Sequence, residues 1–312
     1  MNEQLQTRQP QKMSFSAYAN SKTGQALISN AIRDPRKRDA FVTAIVSAVA
    51  ANPGLQVCTA PSIISAALQG VSMGLAPSPQ LGQFYMVPFK NRKTGTTEAA
   101  FVPGYKGYIQ LAYRSGQYID LDARPVVEGE YRGLDKHTGR PLFEWIEDDA
   151  LREQLPVVGY MAYFELTNGA RKVLYWSKEK MLAHADRYSP AFSRDATGGR
   201  YPRVSFSDYE AGNYPKNDEW KYSSFWYKDF NGMAIKTMLR QLITKWGPVS
   251  IEMQNVIAQD TQNEAQGVDY GAPEGFAGAA LPAAPEPEHP EPQPEAQEQE
   301  PESGEAVSLD DL

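Results

Sequence analysis

Apolar residues recur at helical spacing soon after Asp34, where Phe41, Ala44, Ile45, Ala48 and Val49 share one face. Asp34-Pro35 reads as an N-cap followed by proline at the first helical position, and Asn52-Pro53-Gly54 ends the run. Thr59 opens a second helix with Ile63, Ile64, Ala67, Leu68 and Val71 as its core face and Gly74 just past its end. The period then shortens. GQFYMVPF and TTEAAFVP read as strands on either side of the turn-forming stretch 90–95, which predicts a hairpin. A helix is predicted over 104–115 and a strand over 117–127. A second hairpin, 156–166 with 171–176, turns at Asn168-Gly169. Ser177 caps a short helix to about Tyr188. A long helix over 224–245 stops at Gly247-Pro248, and a short one is predicted over 250–259.

Between these elements, 189–222 reads as a long irregular loop that carries Phe192, Tyr201, Phe206, Tyr209, Tyr214, Trp220 and Tyr222. The expected fold is α+β: an antiparallel sheet with packed helices, this aromatic-rich loop, and a disordered acidic C-terminal tail. Three segments follow: a flexible N-terminal segment 1–33, a folded domain 34–260, and a tail 261–312 rich in Pro, Glu, Gln and Ala. Val307-Ser-Leu-Asp-Asp-Leu312 breaks the tail's pattern and reads either as a docking motif or as a solvating end.

Charge changes this picture. The net charge is −7 over 312 residues, but 261–312 holds 13 Asp/Glu and no Lys/Arg. Residues 1–260 therefore carry 31 basic against 25 acidic side chains, a body of about +6. Such a split suits a body that binds a polyanion, with a tail whose acids compete locally for its cations, or an ordinary domain with a tail that only solubilises it. One cysteine, Cys58, and three histidines rule out a disulfide framework and a His-rich or multi-Cys metal site. No apolar run is long enough to cross a membrane. Phosphate-loop, dinucleotide, nucleophile-elbow and zinc-protease motifs are all missing, so neither a cofactor nor covalent catalysis is expected. The carboxylates Glu128, Glu130, Asp135, Glu144, Glu147, Asp148 and Asp149 raise one enzymatic alternative, a metal-dependent nuclease. Their ordinary reading is a solvated acidic surface. An adaptor acting through its tail is the other alternative.

Cations gather at three places. Lys90, Arg92 and Lys93 sit at the tip of the first predicted hairpin. Lys106, Gln110 and Arg114 recur every four residues on the 104–115 helix, opposite Tyr105, Tyr108, Ile109 and Ala112. Gly107 lies beside that stripe and leaves room for a phosphate or a second backbone; Gly107→Leu is expected to harm activity more than stability. On the 224–245 helix the expected buried face is Ile235, Met238, Leu239, Leu242 and Trp246. Lys236 and Arg240 stand one turn apart on another face, with Lys245 near the end and Asp229 the only acid of the helix. Uncompensated cations beside aromatic rings form the pattern of single-strand binding, in which cations follow phosphates and rings stack on bases; for most of the rings, packing in the core or at a subunit interface is the favoured reading.

The run Leu81-Gly-Gln-Phe-Tyr-Met-Val-Pro-Phe89, followed by Pro103-Gly-Tyr-Lys-Gly-Tyr-Ile-Gln-Leu-Ala-Tyr-Arg-Ser-Gly-Gln117, resembles the RecT family of phage single-strand annealing recombinases. Gly70-Val-Ser-Met-Gly-Leu-Ala-Pro77, Met233-Ala-Ile-Lys-Thr-Met-Leu-Arg240 and Lys245-Trp-Gly-Pro-Val-Ser250 fit the same pattern in the same order. The resemblance implies ATP-independent annealing of single-stranded DNA into duplex by a cytoplasmic homo-oligomer, a ring or a helical filament, with a basic groove. It also implies a host single-strand-binding protein or a phage exonuclease as partner. The residues expected to touch DNA are Lys90, Arg92, Lys93, Tyr105, Lys106, Gly107, Gln110, Arg114, Lys236, Arg240 and Lys245.

Overall fold

Two short serine-capped helices open the fold in the computed structural model, which describes residues 13–91, 93–197, 202–266 and 268. They are α1 (Phe15–Ala19) and α2 (Lys22–Ala31). The Ser14 hydroxyl accepts from Ala17 N at 3.3 Å and the Ser21 hydroxyl from Gly24 N at 3.2 Å. Ile28 and Ile32 are buried in the main core. The expectation of a flexible segment up to residue 33 is therefore corrected from Phe15 onward. Elements of five and ten residues carry too little periodicity to stand out, and their caps are what mark them.

Proline at the first position and the Asp34 carboxylate, which accepts from Arg36 N at 2.9 Å, start α3 (Pro35–Ala51). A single turn, α4 (Pro53–Gln56), leads to α5 (Ala60–Ser72). Gly74, at φ +69°, closes α5: Gly74 N donates to Val71 O at 2.8 Å and Leu75 N to Gly70 O at 2.9 Å, the double bond of a Schellman cap. The first hairpin pairs β1 (Phe84–Lys90) with β2 (Thr97–Pro103), Phe84 opposite Pro103 and Lys90 opposite Thr97. It packs on α5, and the Ser62 hydroxyl accepts from Ala99 N at 2.9 Å. The chain leaves the hairpin directly into α6 (Tyr105–Arg114).

A three-stranded antiparallel sheet follows. It comprises β3 (Tyr118–Val127), and after an excursion β6 (Val157–Leu166) and β7 (Arg171–Ser177), in the order β3-β6-β7. The excursion holds β4 (Tyr131–Leu134), β5 (Pro141–Phe143) and α7 (Asp149–Gln154), elements of three to six residues that the hydrophobic pattern does not announce. Ser177 caps α8 (Lys178–Tyr188) as expected, accepting from Lys180 N at 3.2 Å.

The 189–222 segment is more regular than its sequence suggests. It contains α9 (Phe206–Glu210) and a 3-10 turn over Lys216–Tyr222. Phe192, Phe206 and Tyr222 are buried with Tyr227 and Phe230 in one ring cluster, with centroids 4.8 Å apart for Phe206–Phe230 and 4.9 Å for Phe192–Tyr227. Tyr222 and Tyr227 hydroxyls accept from the backbone of Val204 and Ser193 at 3.0 and 2.9 Å, so rings also anchor the loop. Tyr201 lies outside the described residues.

The long helix expected over 224–245 is broken. α10 (Phe225–Lys228) ends at Asp229, whose φ of −145° is not helical, and α11 (Phe230–Trp246) begins there. The Asp229 carboxylate caps α11 by accepting from Gly232 N at 2.9 Å, so the residue that reads as the helix's only acid is its N-cap. α11 packs against all three strands, with Ala234, Met238, Leu239, Leu242 and Ile243 fully buried. Ile235 is only half-buried and Trp246 is exposed, which corrects the expected face by a small rotation. α12 (Ile251–Gln266) is longer than expected and buries Met253, Val256, Asp260 and Asn263. The described part is thus α+β. The Pro/Glu-rich tail beyond it, Val307–Leu312 included, lies outside the described residues.

Candidate nucleic-acid interface

Lys236 and Arg240 do stand one turn apart on α11, but they are not uncompensated. Lys236 Nζ donates to Asp260 Oδ1 at 2.9 Å, Arg240 Nη1 lies 3.5 Å from Asp260 Oδ2, and the Tyr108 hydroxyl donates to Oδ2 at 3.0 Å. Arg240 Nη2 also donates to Thr261 Oγ1 at 2.8 Å. Asp260 is wholly buried and Lys236 is 7 % exposed. A buried ammonium needs a counter-charge, and α12 supplies it from 24 residues away in sequence. One carboxylate ties α6, α11 and α12 together.

Beside this node, His184 of α8 shows what the cations do to the surrounding space. Its pKa is pushed down to about 4, first by burial and then by Arg240, Arg187, Lys180 and Lys245. Four positive side chains from α8 and α11 thus raise the potential at one point. Tyr188, Trp226, Met233, Lys236 and Arg240 line a hollow around it. The His184 ring lies 4.6 Å from Tyr188 and 5.4 Å from Trp176, centroid to centroid. Cations ride on the neighbouring rings: Lys180 lies 4.4 Å from the Trp176 centroid and Lys172 lies 4.6 Å from that of Trp246. Lys245, exposed, lies 5.9 Å from the same Trp246 ring.

A second hollow adjoins the first. Tyr85, Val87, Val102, Tyr105 and Phe225 line it, and Met233 and Lys236 belong to both. Asp229 stands at its edge. Burial and the Asp229 charge push the Tyr105 hydroxyl pKa up, and burial, Tyr105 and Asp229 do the same for Tyr85. Phosphate-compatible charge and ring surface therefore sit side by side.

The model of the RecT family matches residues 39–270. An uncharacterised protein of Bacillus subtilis, YqaK, is 33% identical over 223 residues, covering 71% of this chain and 64% of that one. Protein RecT of Escherichia coli is 30% identical over 210 residues, covering 67% of this chain and 65% of its own. The chain belongs to the RecT family. It spans just under two thirds of the length of either relative.

The RecT-family match runs from α3 through α12, so it contains both hollows and the Asp260 node. The other expected positions fall into two groups. Lys106 is half-buried: its stem lies over Gly82 beside the Tyr85 hydroxyl, and it has no ion pair among the described residues. Gln110, one turn on, is exposed. Lys90 and Lys93 are exposed at the hairpin tip, which Asn91 shapes by accepting from Lys93 N at 3.0 Å. Arg92 lies outside the described residues. Arg114, in contrast, donates to Met73 O at 2.9 Å and Gly74 O at 3.0 Å, so it closes the end of α5 while remaining at the surface.

Gly107, a RecT-family motif residue expected to leave room for a phosphate or a second backbone, has a second backbone beside it. It is buried, and a Cβ there would meet the Gln83 carbonyl oxygen at 2.2 Å and Leu75 at 3.5 Å. The close approach that its glycine permits is made by this chain's own backbone and not by a phosphate. Several of the carboxylates considered for metal binding are used internally, while Glu128, Glu147 and Asp149 are exposed. Glu130 is fully buried, accepts from Arg152 Nε at 2.7 Å and from Val127 N at 2.8 Å, and keeps a lowered pKa despite its burial. Glu144 pairs with Arg132 at 2.8 Å, and Asp148 caps α7. Among the described residues no group of three His, Cys, Asp or Glu side chains can hold a metal ion. No described helix is long and apolar enough to cross a membrane. His184, Asp260, Phe225 and Tyr85 are the site residues that sequence reasoning missed; only Tyr85 lies within a run that carries the family resemblance.

Proposed function

We propose that this chain binds single-stranded DNA and anneals complementary strands without ATP, in recombination of the kind its family resemblance implies. The observation that carries the reading is the gathering of Arg240, Arg187, Lys180 and Lys245, from two helices, around His184 beside the exposed Tyr188 ring and the buried Trp176 and Trp226 rings. A polyanion is the partner such a field selects, and interleaved rings favour unpaired bases over a closed duplex. Arg240, Lys245, Lys106, Gln110 and Tyr105 form the proposed contact surface, extended by Lys90, Arg92 and Lys93 of the hairpin. Lys236 shapes the field from within the fold, and Arg114 adds charge near the α5 end. Gly107 has only a packing role.

The mechanism is electrostatic. Cations lower the repulsion between two phosphate backbones, base pairing supplies the specificity, and no residue is assigned a covalent step. Several copies acting on one strand, a single-strand-binding protein or an exonuclease as partner, and a cytoplasmic setting complete the reading. The test is annealing of two complementary oligonucleotides without nucleotide, followed over a salt titration. Duplex should form faster than in buffer alone, and the gain should decline as salt rises. Spontaneous rates at every salt concentration would overturn it.

A further inference from the structure

The two adjoining hollows differ in what they can hold. Around His184 the charges acting on the imidazole are all positive: Arg240, Arg187, Lys180 and Lys245. Lys236 and Asp260 also line this hollow, and Asp260 is shared by Lys236 and Arg240, so the excess positive charge comes from Arg187, Lys180 and Lys245 together with one of that pair. An anion gains there. The hollow bounded by Tyr85, Tyr105 and Phe225 has the opposite character. Its floor is apolar, with Val87 and Val102 both buried, and the charge felt by both tyrosines is that of Asp229. The Asp229 carboxylate and the apolar floor make it a poorer seat for a phosphate than the His184 hollow, and they suit a flat uncharged ring with polar edges. Phe225 and Tyr85 face each other with centroids 6.3 Å apart at 40°, an open tilt rather than a closed stack. Lys236 and Met233 border both hollows, so the phosphate-type and ring-type spaces are next-door neighbours. Base and phosphate are neighbours in a nucleotide in the same way.

Resting on the DNA-binding reading above, we propose that the Tyr85–Tyr105–Phe225 hollow, a partly open space of about 60 Å³, is a nucleobase slot: it seats one edge of one unpaired base of the strand whose phosphate lies against the Arg240–His184 hollow. One base per protomer is held in this way, and the remaining bases stay free to pair. The slot accepts any base, because its walls are ring and aliphatic surface, and it belongs to the single strand, because a paired base has no exposed face to offer.

The experiment compares an oligothymidylate with a strand of equal length and phosphate count in which every base is replaced by an abasic deoxyribose. Both are titrated against the full chain and its Phe225→Leu variant over a range of salt. The full chain should bind the base-bearing strand roughly tenfold more tightly than the abasic one, with equal salt slopes, because the phosphates are unchanged. Phe225→Leu should lose most of that preference while binding the abasic strand as the full chain does. A loss of affinity for both strands alike in the variant would show a packing role for Phe225 and overturn the slot. Equal binding of both strands by the full chain would overturn it and leave the electrostatic reading standing. Binding of neither strand would overturn both.

Discussion

On α6, Lys106 and Gln110 stand on an outer face, and Arg114 reaches sideways to close the end of α5. On α11, Lys236 and Arg240, which have the same four-residue spacing, turn toward Asp260 of α12. The first stripe meets solvent, whereas the second is part of the core's polar wiring and acts on its surroundings through the field it leaves at His184. Identical spacing thus yields different roles, because the outer face of a helix is defined by what packs on it. Lys106 should be removable with little effect on the fold, whereas Lys236 and Arg240, tied to Asp260, should not. Each prediction below tests that division.

The largest effect is expected at Asp260. Asp260→Ala leaves the ammonium of Lys236 buried without its counter-charge and the Tyr108 hydroxyl without its acceptor. A loss of about 3–5 kcal/mol in unfolding free energy is expected, read from urea denaturation. Asp260→Asn keeps an acceptor and should lose less. A shift below about 1 kcal/mol for the alanine variant would mean that the node is incidental.

Acid should reveal the burial of His184 and, added to it, the same cations. Its folded pKa of about 4 lies below the ordinary 6.5, so the unfolded chain takes up a proton first as pH falls. The stability tied to the neutral ring is complete above pH 6.5, declines as pH drops through that value and is gone near pH 4. Its full size is about 3 kcal/mol. The pH dependence of the urea midpoint in the parent chain and in His184→Gln measures this. The decline between pH 6.5 and 4 should be shallower in the variant, and parallel curves would remove the field argument.

These two predictions rest on residues the sequence hid, and the reason is physical. Turn chemistry is local, so Asn168-Gly169, the Ser177 cap and the Gly74 cap were legible, and with them the hairpins and most helix ends. The cation stripe on α6 was legible because helical spacing is local too. Asp260 was not, because its partners are 24 and 20 residues upstream and nothing in a linear pattern pairs them. The break at Asp229 was legible in principle, as an Asp three residues before the Gly232 whose N–H it caps. It was concealed by apolar residues that continue the helical period across it. The small strands β4 and β5 fell below any periodic signal, and the Glu130–Arg152 pair beneath them made a structural acid look like a surface one.

Gly107 separates packing from contact on α6 itself. A leucine there would drive its Cβ into the Gln83 carbonyl, a backbone atom that cannot swing away as a flexible side chain can. Gly107→Leu should lower stability by about 1–3 kcal/mol, the range for overpacked interiors. The folded fraction should retain strand binding. This reverses the expectation drawn from the sequence, and thermal melting together with binding at low temperature decides it.

Lys106 is expected to show the smallest effect on the fold and the most specific effect on function. Its stem covers Gly82 and its ammonium has no ion pair among the described residues, so Lys106→Ala removes a charge without stranding another. The melting temperature should hardly move. If Lys106 meets one phosphate, the slope of log K against log salt should fall by about 0.7, the value for one contact on a single strand. Gln110→Ala, on the same face and uncharged, should leave that slope unchanged and so controls for the loss of side-chain volume. Two variants with the same slope as the parent chain would move the strand off α6, and the path would then run from the His184 hollow along α8 and Lys245 instead.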